Sequence, residues 1–183
     1  MARMARNPPS DDTVFRHRNL PLLLLQARER VIARFRPALN EAGLTEQQWR
    51  IVRALLESGP LEPRQIVRLC AISSPSLAGV LARMDELGLV RRERLDHDAR
   101  RLQVSLTPRS RALARNLAPR IESVYAQIEQ QLGESFTQDL YRALDALTSG
   151  LGPGAMTDDV DGAAAAGAEP PATRSAVARD GGT

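Results

Sequence analysis

Lysine is absent from this chain: all 25 basic residues among its 183 are arginine. That removes lysine Schiff-base and lysine general-base chemistry outright. The bias has two readings, a GC-rich coding sequence or selection for a guanidinium fork that binds phosphates bidentately, and composition does not choose between them. Cysteine occurs once, at Cys70, so no intrachain disulfide can form. The first residues, MARMARNPPSDD, are charged and proline-bearing, unlike a secretory leader, and a cytoplasmic location is the default expectation. The two histidines, His17 and His97, lie far apart, which argues against a metal site. Aromatics make up 3% against 43% hydrophobic residues, a balance that favours Leu-, Val- and Ala-rich helices over a β-sandwich. The longest strongly apolar stretch, Leu22–Leu25, is far too short for a membrane span, so no membrane partner is expected.

Charge is distributed unevenly. From Leu151 onward, five carboxylates face Arg174 and Arg179, a net of −3, so residues 1–150 carry +6. Three regions follow: an N-terminal basic arm over 1–18, a folded domain over 19–150, and an acidic Gly/Ala/Pro-rich tail over 151–183 that has little to bury and is expected to be disordered.

Within the domain the periodicity predicts mainly helix. Asn19 caps a helix from Leu20 to about Asn40 whose apolar set includes Leu24, Val31, Ile32, Phe35 and Leu39, with Pro37 suggesting a kink or an early end. Thr45 and Gln48 form a capping-box pattern for a helix to about Ser58, with Trp49, Val52, Leu55 and Leu56 inward. A short helix from Pro63 turns Ile66, Leu69 and Cys70 inward. Ser73 or Ser74 caps the next, in which Leu77, Val80, Leu81, Met84 and Leu87 form one face and Gly88 marks the stop. The period then changes to two: a pair of short antiparallel strands is joined by a loop around Leu95–Arg100. A long helix from Pro108 to Leu132 carries a seam of Leu113, Leu117, Ile121, Val124, Ile128 and Leu132, spaced like a coiled coil and in want of a partner. Ser135 with Gln138 caps a last helix to about Leu147.

Two short helices followed by strand, loop and strand, set between longer helices, is the order of a winged helix-turn-helix. The helix at Pro75 keeps Ser73, Ser74, Ser76, Gly79 and Arg83 off its apolar face. Small and hydrogen-bonding residues at a helix N-terminus permit close approach to phosphates and base edges, although an ordinary solvated face has the same pattern. The hairpin that follows concentrates Arg91, Arg92, Arg94, Arg100 and Arg101 beside Asp96 and Asp98, a composition suited to a narrow minor groove.

Three separated segments in order, GLTEQQWRIVRAL (43–55), SSPSLAGVLARMDELGLVRRE (73–93) and Asp98-x-Arg100-Arg101, resemble the MarR family of bacterial regulators over roughly residues 14–149. RNLPLLLLQARERV (18–31) and GLTEQQWR look like the branch that represses homoprotocatechuate and related aromatic-acid operons, including nicotinate degradation. The resemblance implies a mainly α fold with a small β-wing and a triangular homodimer joined through helices at about 19–42 and 108–149. It implies that the Ser74–Leu87 helix, with Ser73, Ser74, Pro75, Ser76, Gly79 and Arg83, enters the major groove of a pseudo-palindromic duplex. Arg100 enters the minor groove, with Arg94, Asp98 and Arg101 beside it. Leu95 departs from the family pattern, in which an acidic residue often stands at that position.

Other features carry less. Cys70 reads as core rather than redox sensor, because it shares a face with Ile66 and lacks a resolving partner. Gly150-x-Gly152-x-Gly154 has no preceding strand and reads as linker. Arg16, His17, Arg18 and Asn19 admit two readings: a basic arm with a helix cap, or donors for an aromatic carboxylate, which the resemblance to effector-controlled regulators supports. No nucleophile–base pair, metal cluster or phosphate loop stands out, so neither an enzyme nor a cofactor is expected. The expected function is a repressor released from DNA by a small aromatic acid. The alternative is a DNA-binding regulator or architectural protein controlled by a protein partner.

Overall fold

A computed structural model describes residues 15–95 and 98–152, with Leu95 and residues 98–100 described by backbone alone. The expected arm up to residue 14, the wing tip at Asp96 and His97, and the tail beyond Gly152 lie outside the described residues.

The elements are α1 (Leu20–Glu41), α2 (Glu46–Ser58), α3 (Pro63–Cys70), α4 (Ser74–Glu86), β1 (Val90–Leu95), β2 (Asp98–Leu106), α5 (Pro108–Leu132) and α6 (Glu134–Leu151). Each start has a local cause. Asn19 accepts from the Leu22 amide at 3.1 Å, and Pro21 occupies the first turn, where a missing N–H costs least. Thr45 and Gln48 close the anticipated reciprocal capping box, with bonds of 3.2 and 2.9 Å. Thr107 accepts from the Ser110 amide at 3.1 Å and donates to the Gly88 carbonyl at 2.7 Å, which ties the start of α5 to the end of α4.

Several expectations shift. Helix α1 runs through Pro37 to Glu41 rather than ending early. Helix α6 starts at Glu134 with Gly133 as its cap, not at Ser135, and Thr137 Oγ1 donates back to the Gly133 carbonyl at 3.0 Å. Strand pairing reaches Leu95↔Asp98, past a register irregularity at Arg94/Leu95, so the hairpin connection is tighter than the Leu95–Arg100 loop anticipated.

The core is the winged unit. Phe35, Ala38 and Leu39 of α1 join buried residues of α2, α3 and α4, the wing base (Val90, Val104, Leu106) and the first half of α5 (Ala114, Leu117, Ile121). Leu61 bridges Val104 through backbone bonds of 3.0 and 2.8 Å, adding one residue of sheet between α2 and α3. The inward face of α3 is Ile66, Val67 and Cys70; Leu69 is instead 60% exposed. The shift follows from packing: α3 lies between α2 and α4, so Val67 turns toward Leu77 and Leu69 is left at the edge. Leu56, expected inward on α2, is likewise exposed.

Helix α6 contributes no buried apolar side chain. Its Phe136, Leu140, Tyr141 and Leu144, and Leu20, Leu22, Leu24 and Leu25 at the start of α1, face outward. Among the described residues no single helix is long and apolar enough to cross a membrane.

Candidate nucleic-acid interface and cavity

Between α3 and α4 the chain bends by 109° across residues 71–73, the angle and turn length of a helix-turn-helix. Ala71 makes the turn in the left-handed region (φ 47°), where glycine is usual, and Ile72 N donates to the Val67 carbonyl at 3.3 Å. Helix α4 then emerges with Leu77, Leu81 and Met84 buried. Its opposite face presents Ser73, Pro75, Ser76, Gly79 and Arg83 to the outside, with Ser74 half-buried. Ser73 and Ser76 hydroxyls bond to each other at 2.9 Å, and neither residue 73 nor 74 spends its side chain on a cap. A Cβ added at Gly79 would meet nothing within 4 Å, so no neighbour in the chain requires a glycine there.

The wing's arginines divide by position. Arg92 Nε and Nη2 both donate to Asp85 Oδ2, at 3.0 and 2.9 Å, which fastens β1 to α4. Arg101 pairs with Glu62 at the start of α3, fastening β2. That guanidinium, with Arg64 adding to it, holds the Glu62 carboxyl below the usual carboxylate range. Arg91 lies 3.3 Å from Glu93, and Arg94 is exposed. The side chains of Asp98 and Arg100 lie outside the described residues. Among the wing arginines whose side chains are described, Arg92 and Arg101 thus brace the hairpin against the helices.

Behind the reading head, α1, α2, α5 and α6 line a half-open cavity of about 630 Å³, with Leu69 and Cys70 of α3 also on its wall. Its walls are apolar: Leu24, Val31, Ile32 and Phe35 from α1, Trp49 and Ala54 from α2, Ile121 and Tyr125 from α5, Leu140 and Leu144 from α6. The Phe35 and Tyr125 rings meet edge to face at 4.9 Å. Three guanidiniums, Arg28, Arg50 and Arg53, line it with the carboxylates of Glu46 and Glu57. Arg28 pairs with Glu46 and, at 2.6 Å, with Glu29; Arg53 pairs with Glu57 at 2.6 Å. Burial pushes the Tyr125 phenol up, so it keeps its proton and can donate. Burial also raises the Cys70 thiol, the opposite of an activated thiolate and in keeping with its place in the core.

Within one chain, Arg16, His17, Arg18 and Asn19 do not line this cavity; the first three are exposed and Asn19 caps α1. The cavity's own polar residues went unread in the sequence because α1, α2 and α5 contribute them from distant positions. The one local signal was the single tryptophan, Trp49, followed by Arg50 and Arg53 on consecutive turns.

Residues 42–101 match the profile of the MarR family. The chain is 42% identical over 129 residues to the homoprotocatechuate degradative operon repressor of Escherichia coli, spanning 70% of this chain and 87% of that protein. It superposes on NadR in complex with 4-hydroxyphenylacetate with a TM-score of 0.66 at 36% identity, covering 74% of this chain and 96% of that one. It also superposes on Bordetella bronchiseptica BpsR, whose DNA binding is regulated by 6-hydroxynicotinic acid, with a TM-score of 0.64 at 25% identity, covering 71% and 98%. The helix-turn-helix with its two-stranded wing therefore has its counterparts among transcription regulators, not enzymes, and the chain belongs to the MarR family.

Proposed function

We propose that this repressor binds a pseudo-palindromic operator as a homodimer and is released by a small aromatic carboxylate held in the cavity between α1, α2, α5 and α6. The observation that carries the reading is the cavity itself. Its volume is in the range of small-molecule sites, its walls suit an aromatic ring, and Arg28, Arg50, Arg53 and the Tyr125 hydroxyl offer donors to a carboxylate and a ring hydroxyl. The aromatic acids named for NadR and BpsR have this chemistry, and an aromatic-compound degradation operon is the corresponding target. Asn19 caps α1, and Arg16, His17, Arg18 and Asn19 remain candidate donors to the same carboxylate across the dimer, beside the cavity arginines.

On DNA, the outward face of α4 (Ser73, Ser74, Pro75, Ser76, Gly79, Arg83) reads the major groove. Arg94 and Arg100 lead the wing into the minor groove, with Asp98 and Arg101 positioning it. The exposed leucines of α1 and the aromatic and leucine side chains of α6 form the dimer surface, setting the two α4 helices about one turn of DNA apart, roughly 34 Å. The acid acts only through its preference for one spacing of those helices; a coupling of about 1–3 kcal/mol lowers operator affinity about 5–150-fold.

The test is to titrate 4-hydroxyphenylacetate and 6-hydroxynicotinate into the complex with an operator selected from random duplexes, following anisotropy, with calorimetry on the DNA-free protein. Release by one of these acids, and its weakening by Arg53→Ala with DNA binding retained, is the expected result. Absence of binding to the free protein, or equal binding with and without DNA, removes the effector from the mechanism.

A further inference from the structure

Arg28 and Arg53 line the cavity and pair with carboxylates of α1 and α2. Arg50 differs. Its Nη1 donates to the Cys70 carbonyl at 2.6 Å and to the Ala71 carbonyl at 3.5 Å. These are the last residue of α3 and its left-handed cap, where backbone carbonyls lack intrahelical donors. A guanidinium there satisfies them and sits favourably at the negative end of the helix. The same side chain lines the cavity, and its Nε is buried with no hydrogen-bond partner, while Nη2 lies 3.9 Å from Glu46. Desolvation acts against its charge, the condition under which an added anion is most welcome.

The carbonyls that Arg50 holds belong to the turn that aims α4. Ala71 is, among the described residues, the one non-glycine with a left-handed φ, a conformation that persists because surrounding contacts hold it. Two residues later the exposed face of α4 begins with Ser73. One side chain thus touches the cavity on one side and the turn that leads into α4 on the other.

We propose that Arg50 is the positioning residue that couples the cavity to the reading helix. A carboxylate in the cavity takes the unpartnered Nε together with Nη2, and in re-orienting the guanidinium it resets the bonds to the Cys70 and Ala71 carbonyls and with them the angle of α4. This rests on the reading of the cavity as the effector site and specifies how that site is regulated. Arg53 holds the acid; Arg50 reports it.

The test compares the full chain with Arg50→Met and Arg53→Ala, using 4-hydroxyphenylacetate and 6-hydroxynicotinate as probes. Three quantities are read: acid affinity of the DNA-free protein, operator affinity with and without saturating acid, and amide hydrogen exchange at Ile72–Leu77. In the wild type, saturating acid lowers operator affinity about 5–150-fold and alters exchange at Ile72–Leu77. Arg50→Met still binds the acid, about tenfold more weakly for the loss of one charge-assisted pair. At saturation its operator affinity changes less than about twofold, and acid no longer alters exchange in the turn. Arg53→Ala shows the reverse: weaker acid binding, with full release once saturated. A structural role alone would not separate saturated release from acid affinity. If Arg50→Met is released as fully as the wild type at saturation, the coupling role is overturned while the effector site stands. If neither acid binds the wild type, the effector reading fails and the coupling role falls with it. Should Arg50→Met not fold, Arg50→Lys, which keeps the charge without the fork, gives the same readouts.

Discussion

The winged unit and the helices flanking it use apolar residues in opposite ways. In α2, α3, α4 and the wing base, Ile51, Val52, Leu55, Ile66, Met84 and Val104 are almost wholly removed from water within a single chain. In the first half of α1 and along α6, Leu20, Leu22, Leu24, Leu25, Phe136, Leu140, Tyr141 and Leu144 stay more than a third exposed. The first set describes a unit whose core is complete. The second leaves large apolar side chains at the surface, and it borders the cavity through Leu24, Leu140 and Leu144. The reading head is therefore held together within one chain, whereas the flanks leave apolar side chains exposed, the surface that the proposed homodimer covers.

The largest expected effects separate these regions by concentration. Ile51→Ala removes side-chain atoms from a fully buried site and should cost about 2–5 kcal/mol, independent of protein concentration. Leu144→Arg places a charge in the exposed stripe of α6 and should leave the winged core folded while yielding a monomer in light scattering. The wild-type melting temperature should rise with protein concentration, and that of Leu144→Arg should not. A monomeric wild type at micromolar concentration would remove the partner from the argument.

The next effect tests whether the outward face of α4 does more than meet solvent. Gly79→Glu adds a side chain into open space and replaces a helix-interior glycine, so stability should hold or rise by up to about 1 kcal/mol. Operator affinity should nevertheless fall more than about tenfold, because a carboxylate is brought to the groove and its phosphates. Retained affinity in a competition assay would place the reading surface elsewhere. Smaller still, Arg94→Ala or Arg100→Ala should weaken binding uniformly and make the salt dependence shallower by about one unit of slope if each neutralises a phosphate.

The same contrast marks what the sequence discloses. Capping chemistry is local, so Thr45–Gln48, Asn19 and Gly88 place their boundaries within a residue or two. Periodicity locates an apolar face but not its edges. Leu56 and Leu69 lie within the apolar pattern yet are exposed, while Val67 is buried because α4 packs on that side of α3. The seam of α5 fades along its length for the same reason. Leu117 and Ile121 meet the core, and Leu132 does not. The sequence groups the hairpin arginines beside Asp96 and Asp98, but Arg92 and Arg101 are committed to Asp85 and Glu62 by tertiary contacts that no spacing reveals. The cavity was the least legible feature, since Arg28, Trp49 and Tyr125 converge from three helices.

The smallest expected effect concerns how the wing is held. Glu62 has its carboxyl lowered first by the Arg101 hydrogen bond and further by the charges of Arg101 and Arg64, with desolvation opposing. A carboxyl whose folded-state pKa lies below its unfolded value stabilises the fold at all pH above the unfolded value. That contribution is lost as pH falls through the folded one. Glu62→Gln should therefore be slightly less stable than the wild type near neutrality, and the two melting curves should converge on acidification below the ordinary carboxylate range. The pair is partly open to water, so the difference is that of a surface ion pair. Because the Glu62–Arg101 contact joins β2 to the start of α3, the same substitution should lower operator affinity only a few-fold, through a looser wing rather than a lost DNA contact. The salt slope separates those two causes: it stays unchanged if Arg101 acts by bracing the wing, and it changes if freeing Arg101 adds or removes a phosphate contact.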